Sequence, residues 1–338
     1  MIAETKTSFS SKGDSLLSVK NLTIEYWTGG KTYFRAVDGI SFDLNHGEIL
    51  GLAGESGSGK STIASAILRL IDLPSRVTGE IRFGNSNLLR LNTNQVRDYR
   101  WRLISMIFQG AMNSLDPVFT IKSQLVETIM AHDHVSKETA LNTSLDLLHK
   151  VGIDAERAGD YPHQLSGGMR QRAMIAMALC LKPKLLIADE PTSALDVVTQ
   201  RQIVELIRQL QREYDLSVLF ITHDLPLLSG ICDRMAIMHM GRIVEIGSHD
   251  EVLQTPKHPY TELLVKSTVS LNSSGRPYNP TPSKDETDSG TLENGCRFYS
   301  RCPIRVEKCR SIDPKLREIK GGTHSVACII RDGWTYDT

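Results

Sequence analysis

The chain has 338 residues and a mass of 37.6 kDa, and its 39 lysines and arginines are matched by 39 aspartates and glutamates, giving a formal net charge of zero. That balance argues against a dedicated polyanion binder, and 40% hydrophobic with 23% charged residues is ordinary globular composition for about two domains. The longest run without a polar residue, Ala173 to Leu181, falls well short of the about 20 apolar residues of a bilayer-spanning helix.

Residues 1–15 are rich in Ser, Thr and Lys and read as a flexible leader without the apolar stretch of a secretion signal, which points to a cytoplasmic protein. Strand-type runs follow at Leu16 to Ile24, Tyr33 to Val37, Ile40 to Leu44 and Glu48 to Ala53. The last runs directly into Gly54, Gly57 and Gly59, so a strand, a tight loop and a helix are expected in succession. Between about 95 and 182 the pattern is mainly helical, with Leu125, Ile129 and Met130, then Leu141, Leu145, Leu148 and Val151, at three- and four-residue spacing. Strand and helix then alternate: Lys184 to Ala188, Val197 to Tyr214 with Ile203, Ile207, Leu210 and Tyr214 on one face, and Ser217 to Ile221. Alternation of this kind predicts a parallel sheet and an α/β fold. Residues 268–295 hold too few large apolar groups to offset chain entropy and read as a linker, followed by a cysteine-rich extension at 296–338.

Gly54-Glu55-Ser56-Gly57-Ser58-Gly59-Lys60-Ser61 matches the phosphate-loop pattern G-x-x-x-x-G-K-S/T at every fixed position, between a predicted strand and helix. The glycines allow successive amide groups to face phosphate oxygens, and the start of the helix adds the positive end of its dipole. Lys60 then sits on the β- and γ-phosphates, Ser61 on Mg²⁺, and Thr62 follows in the first helical turn. A second half-site stands at Leu185 to Glu190, where an apolar strand delivers two adjacent carboxylates. Asp189 is expected to hold Mg²⁺ and Glu190 to take the proton of an attacking water.

Between these motifs, Leu165-Ser166-Gly167-Gly168-Met169-Arg170-Gln171-Arg172 resembles the signature sequence of ATP-binding-cassette (ABC) ATPases. Gln109 after an apolar run, Ser193-Ala194-Leu195-Asp196 after the acidic pair, and His223 after a strand occur in that superfamily's order, and the resemblance covers residues 16–267. It implies an ABC-type P-loop NTPase core with an antiparallel β subdomain and a helical signature subdomain at about 95–182. Ser166 caps the following helix, and with Gly168 it makes a second anion-binding helix start. By resemblance this start closes over the ATP of a partner subunit packed head to tail. The resemblance further places Gln109 on Mg²⁺ and the γ-phosphate and in contact with a membrane partner, His223 on the γ-phosphate and water, and Tyr26 on adenine, with Trp27 and Tyr33 nearby as alternatives.

Phe108-Gln109 followed by Met112, Ser114, Leu115, Asp116 and Pro117, the stretch from Leu165 to Leu179, and His258-Pro259-Tyr260-Thr261 resemble more narrowly the ATPase subunits of oligopeptide and dipeptide importers, a family that also serves nickel and oligosaccharide systems. This implies ATP hydrolysis at the cytoplasmic face of two permease subunits, fed by an extracytoplasmic solute-binding protein. Met169 in place of the usual Gln resembles one of two paralogous ATPases and implies a heterodimer. Gly110 replaces the acidic residue common after the glutamine, which bears on the coupling contact alone. A soluble ABC ATPase acting on nucleic acid or ribosomes is the competing class, but it requires tandem cassettes or a long coiled-coil insertion, and the sequence has neither.

Cys296, Cys302, Cys309 and Cys328 are spaced C-x₅-C-x₆-C-x₁₈-C. A cytoplasmic location disfavours disulfides, and zinc usually shows a closer Cys pair, which leaves a 4Fe–4S iron–sulfur cluster, zinc or free thiols. The resemblance favours the cluster, since the same importer family carries one in some members. Nearby Arg297, Arg301, Arg305, Lys308 and Arg310 either offset thiolate charge or form a solvated basic face. Cys180 and Cys232, in apolar surroundings, read as core residues.

Overall fold

A computed structural model describes residues 15–30, 32–110, 114–273, 295–319 and 322–331, without the side chains of 268–273. The leader up to residue 14, Met112 and most of the expected linker lie outside the described residues. In chain order the elements are β1 (Ser15–Gly29), β2 (Thr32–Asn45), β3 (Ile49–Gly54), α1 (Lys60–Ile67), β4 (Ser75–Phe83), β5 (Ser86–Asn87), α2 (Thr93–Tyr99), β6 (Ile104–Ile107), α3 (Ile121–His132), α4 (Lys137–Lys150) and α5 (Gly167–Leu179). There follow β7 (Leu185–Asp189), α6 (Val197–Tyr214), β8 (Ser217–Thr222), α7 (Leu225–Leu228), β9 (Arg234–His239), β10 (Arg242–Ser248), α8 (His249–Gln254), α9 (Pro259–Ser273), β11 (Arg317–Glu318) and β12 (Ser325–Val326). None of the described helices is long and apolar enough to cross a membrane.

Two sheets organise these elements. The smaller is antiparallel, in the order β2-β1-β4-β5. The larger runs β11-β12-β10-β9-β3-β8-β7-β6, parallel from β9 to β6 and antiparallel at its other end. Its central strands are apolar without a break because both faces are buried. Leu186, Ala188, Val218 and Phe220 join a core under the helices, whereas their neighbours Leu185, Ile187, Leu219 and Ile221 join a core shared with β1, β2 and α1. This is the period-two alternation of a strand, with each face serving one core. Three expectations shift. The runs at Tyr33 to Val37 and Ile40 to Leu44 form one strand, with left-handed Gly39 (φ 63°) between them. Ile104–Ile107 lies inside the segment expected to be helical, yet it forms the edge strand beside β7; four residues are too few to declare a period. The residues up to Ser273, taken as linker from 268, continue α9.

The cysteine-rich extension packs on the large sheet rather than standing apart. β12 pairs with β10, and the fully buried Glu245 of β10 accepts from His324 Nε2 at 2.7 Å and from the amides of Lys257 and His258. Buried Phe298 lies against His239, His258 and Tyr260, with ring centroids 5.4–5.8 Å away. Tyr260 N–H donates to His258 Nδ1, which fixes that nitrogen as an acceptor. Burial drives His239 down to about 4 and His258 down to about 3, against an ordinary value near 6.5. For His239 the Glu55 carboxylate favours the charged form, while the Arg301 guanidinium opposes it. A histidine that holds its proton more weakly when folded contributes stability that is complete above pH 6.5 and erodes as the pH falls toward 4 and then 3. Calorimetry is therefore expected to show a melting temperature that drops between pH 6.5 and pH 4, and a His239→Phe variant with a shallower slope. An unchanged slope would remove His239 from this account.

Candidate active site

The phosphate loop spans the turn from β3 into α1, and its geometry requires glycine at both ends. A Cβ on Gly54 (φ 152°) would meet Met238 O at 2.2 Å, and one on Gly59 (φ 101°) would meet Ala36 O at 2.5 Å. Side chains are excluded there because strand backbones pass directly against the loop. Lys60 is buried, and its Nζ donates to Gly54 O at 2.8 Å, Glu55 O at 2.9 Å and Ser58 Oγ at 3.2 Å. Three acceptors use all three protons of an ammonium group. Burial lowers the Lys60 pKa, and the Glu190, Asp189 and Glu55 carboxylates oppose that shift. Ser56, Gly57 and Ser61 are exposed at the mouth of the loop, Ser58 is buried, and Thr62 is half-buried behind it.

β7 delivers the acidic pair to the same place. Ser61 Oγ donates to Asp189 Oδ1 at 3.0 Å, joining residues 128 positions apart. Burial pushes the Asp189 carboxyl above its usual range, Ser61 and Lys60 pull it down, and Glu190 adds to the rise. A hydroxyl and a buried carboxylate at hydrogen-bond distance are hard oxygen donors of the kind that hold Mg²⁺ beside phosphates. Glu190 adopts a left-handed backbone (φ 47°), and its N–H is tied to Ile221 O of β8 at 2.9 Å. Its two carboxylate oxygens are bracketed: Gln109 Nε2 donates to Oε2 at 2.9 Å, and His223 Nδ1 lies 2.9 Å from Oε1. Three residues that are separate in sequence, at the ends of β6, β7 and β8, thus meet on one carboxylate. Gln109, expected also on Mg²⁺, here gives its amide to Glu190.

The signature turn is built as a helix start. Ser166 caps α5, its hydroxyl accepting from Met169 N at 3.3 Å. A Cβ on Gly168 would meet Thr199 Cγ2 at 2.8 Å, so this glycine lets α5 approach the start of α6. Asp196 caps α6 through Val198 N and Thr199 N, and Val197 and Val198 just beyond it are exposed. Among the described residues no hydrogen bond links Ser166 or Gly168 to Gly54–Ser61 of the same chain. Tyr26 lies half-buried on β1, registered with Phe34 on β2 and Ser75 on β4. The neighbouring Trp27 is exposed and gives its indole N–H to Gly30 O, and Tyr33 lies beneath the Arg76 guanidinium.

The cysteine expectation needs correction. Cys296, Cys302, Cys309 and Cys328 line one small cavity with His258, Phe298 and Ile330. Among the described residues, however, no group of three or more His, Cys, Asp or Glu side chains stands in metal-holding geometry. Burial pushes the Cys296 thiol up to about 11 and raises those of Cys302 and Cys328. The residues as placed do not fit the 4Fe–4S cluster or the zinc alternative. Two of the basic residues that were to offset thiolate charge have other partners: Arg301 pairs with Glu55, and Arg297 with Asp38 and Met240 O.

Sequence reasoning missed Glu55, Tyr260 and Arg301 as a group. Glu55 is a variable position of the loop pattern, yet its N–H donates to Tyr260 Oη at 3.0 Å and its carboxylate takes a fork from Arg301 at 2.9 and 3.2 Å. The only available signal was the His258-Pro259-Tyr260 run, which names no partner.

Comparison with known proteins follows the same outline. A family model described as ABC transporter matches residues 37–193, and one described as Oligopeptide/dipeptide transporter, C-terminal region, matches residues 244–309. The chain is 42% identical over 323 residues to the dipeptide transport ATP-binding protein DppD of Bacillus subtilis, covering 94% of this chain and 96% of that one. It is 41% identical over 307 residues to the oligopeptide transport ATP-binding protein OppD of Escherichia coli, covering 90% of each. Among solved structures it resembles the ATP-binding cassette MJ0796, a dimer in a post-hydrolysis state bound to ADP and Pi. There the identity is 28% and the TM-score 0.62, over 69% of this chain and 98% of that one.

Proposed function

Because the chain belongs to the family of ATP-binding subunits of oligopeptide and dipeptide ABC transporters, we propose that it hydrolyses ATP to drive import of di- or oligopeptides through a permease formed by other chains. The observation that carries the catalytic part is the convergence of Gln109 and His223 on the two oxygens of Glu190, beside an Asp189 bonded to Ser61 of the phosphate loop.

In this reading the amides of Ser56 to Ser61 and the Lys60 ammonium grip the triphosphate, and Tyr26 stacks on adenine. Ser61 and Asp189, with Gln109 when it leaves Glu190, hold Mg²⁺, which when bound neutralises charge between the β- and γ-phosphates. Glu190 takes a proton from the water aligned on the γ-phosphorus, and His223 orients Glu190 and that water. Ser166 and Gly168 serve the ATP of a partner subunit. Because no hydrogen bond among the described residues links them to the phosphate loop of their own chain, and Val197 and Val198 lie exposed at the neighbouring start of α6, the reading is a head-to-tail dimer with a paralogous ATPase. Exposed Phe108 beside Gln109, and exposed Val118 and Phe119 further along the chain, offer apolar side chains suited to two permease subunits at the cytoplasmic face. A solute-binding protein on the far side delivers the substrate to them.

Isolating the membrane complex that contains this chain and reconstituting it in vesicles tests the reading. ATP-dependent uptake of labelled di- or oligopeptides is expected. Uptake of nickel or an oligosaccharide alone would replace the substrate, and a complex without membrane subunits would overturn the transporter reading.

A further inference from the structure

We propose that Tyr260 and Arg301 are positioning residues for nucleotide binding, tying the phosphate loop to α9 and to the cysteine-bearing extension so that the Gly54–Glu55 peptide, and through it Lys60, is held in place for the triphosphate. The inference rests on the reading of Gly54–Ser61 as an ATP site.

Tyr260 and Arg301 lie 205 and 246 residues from Glu55 in sequence, and folding brings both onto it. Tyr260 is fully buried, with its ring 4.4 Å from that of His239 and 5.5 Å from that of Phe298. Its phenol oxygen accepts the Glu55 N–H at 3.0 Å. On the other side of the same peptide group, Gly54 O accepts from Lys60 Nζ at 2.8 Å, and Glu55 O in the next peptide accepts from it at 2.9 Å. Arg301 closes the arrangement by forking onto the Glu55 carboxylate, its guanidinium 5.6 Å from the centre of the Phe298 ring. A second tie runs parallel. Arg297 donates to Met240 O and Asp38, and the adjacent Gly241 N–H donates to Ser58 O of the loop at 3.0 Å. Both shoulders of the loop are therefore anchored to the segment between Cys296 and Cys302.

Stability alone does not account for the Arg301–Glu55 pair. Its side chains are 48% and 42% exposed, and pairs of that kind add little to folding. What a two-pronged guanidinium contact fixes is the plane and direction of the carboxylate. Direction matters here because Glu55 is a negative charge at the mouth of a site for a polyanion, close enough to favour the charged form of Lys60. Released from Arg301, that carboxylate would compete for the ammonium and repel the phosphates. Held and neutralised, it leaves Lys60 free to turn from loop carbonyls to ligand.

The test uses the full chain with its membrane complex, MgATP as the probe, and five variants. Arg301→Gln is expected to raise the KM for MgATP about 3- to 10-fold with kcat within about twofold and an unchanged melting temperature, the loss of one charge-assisted contact. Tyr260→Phe should raise KM in the same way, and Arg301→Lys should recover part of the loss. Combining Glu55→Gln with Arg301→Gln should restore KM, since no uncompensated carboxylate remains. A wild-type KM in Arg301→Gln, a fall in kcat and melting temperature at constant KM, or failure of the Glu55→Gln rescue overturns the proposal. Lys60→Ala separates the levels: normal nucleotide affinity there would sink the ATP-site reading itself, while a loss there beside a normal Arg301→Gln would sink only the positioning role.

Discussion

Glu190→Gln is expected to lower kcat for ATP by about 10²-fold or more while leaving MgATP affinity within about threefold, because general-base catalysis is typically worth about 10²- to 10⁴-fold. The substitution is clean for a geometric reason. A carboxamide offers one oxygen and one NH₂ group: the oxygen can keep the bond from Gln109 Nε2, and the NH₂ can donate to His223 Nδ1 when that ring carries its proton on Nε2. Neither neighbour loses its partner, and the left-handed backbone at position 190 is as tolerable for Gln as for Glu. Only the basic oxygen and its charge are lost. Removing that charge from beside Asp189 and Lys60 also makes the site more welcoming to a polyanion. Single-turnover kinetics with MgATP, alongside equilibrium binding, checks the split. Light scattering on the same variant with its paralogue should report a long-lived dimer under saturating MgATP. Unchanged turnover would remove Glu190 from the water-activating role, and a persistent monomer would remove the head-to-tail dimer.

Legibility in the sequence followed the range of the interactions. Helix α6 has the bounds expected from its apolar face, Val197–Tyr214, because that signal is local. β3, β7 and β8 announce themselves as unbroken apolar runs, since strands covered on both faces leave no polar alternation to confuse them with loops. The loop pattern and the acidic pair were legible as chemistry, but their meeting through the 3.0 Å Ser61–Asp189 bond depends on β3 and β7 flanking β8. β6 was hidden by its brevity. The Glu55 contacts were illegible for another reason: no local pattern names Glu55 as a partner, and only the packing of α9 against His239 of β9 and the docking of the extension onto β10 bring Tyr260 and Arg301 to the loop. The cysteines misled because spacing reports proximity but not ligand geometry. Four thiols do share a cavity, yet no group among the described residues stands in metal-holding geometry.

Lys60→Ala should act at the opposite end of the cycle, weakening MgATP binding itself by about 10- to 100-fold, the range expected for losing a charge-assisted contact to phosphate. The ammonium is already desolvated and held by three loop acceptors, so little reorganisation separates its resting place from the ligand. Truncation removes the charge and also leaves the carbonyls of Gly54 and Glu55 without their donor, which loosens the loop that presents the amides. Lys60→Arg should be no substitute, because the buried channel between Gly54 O and Ser58 Oγ accepts a compact point charge and not a planar fork. Combining Lys60→Ala with Glu190→Gln decides the order of events. If the triphosphate is what joins two subunits, the double variant cannot form the long-lived dimer of Glu190→Gln at any MgATP concentration that saturates the single variant. A stable dimer in the double variant would mean that the subunits associate through protein contacts alone, and hydrolysis would then have nothing to release.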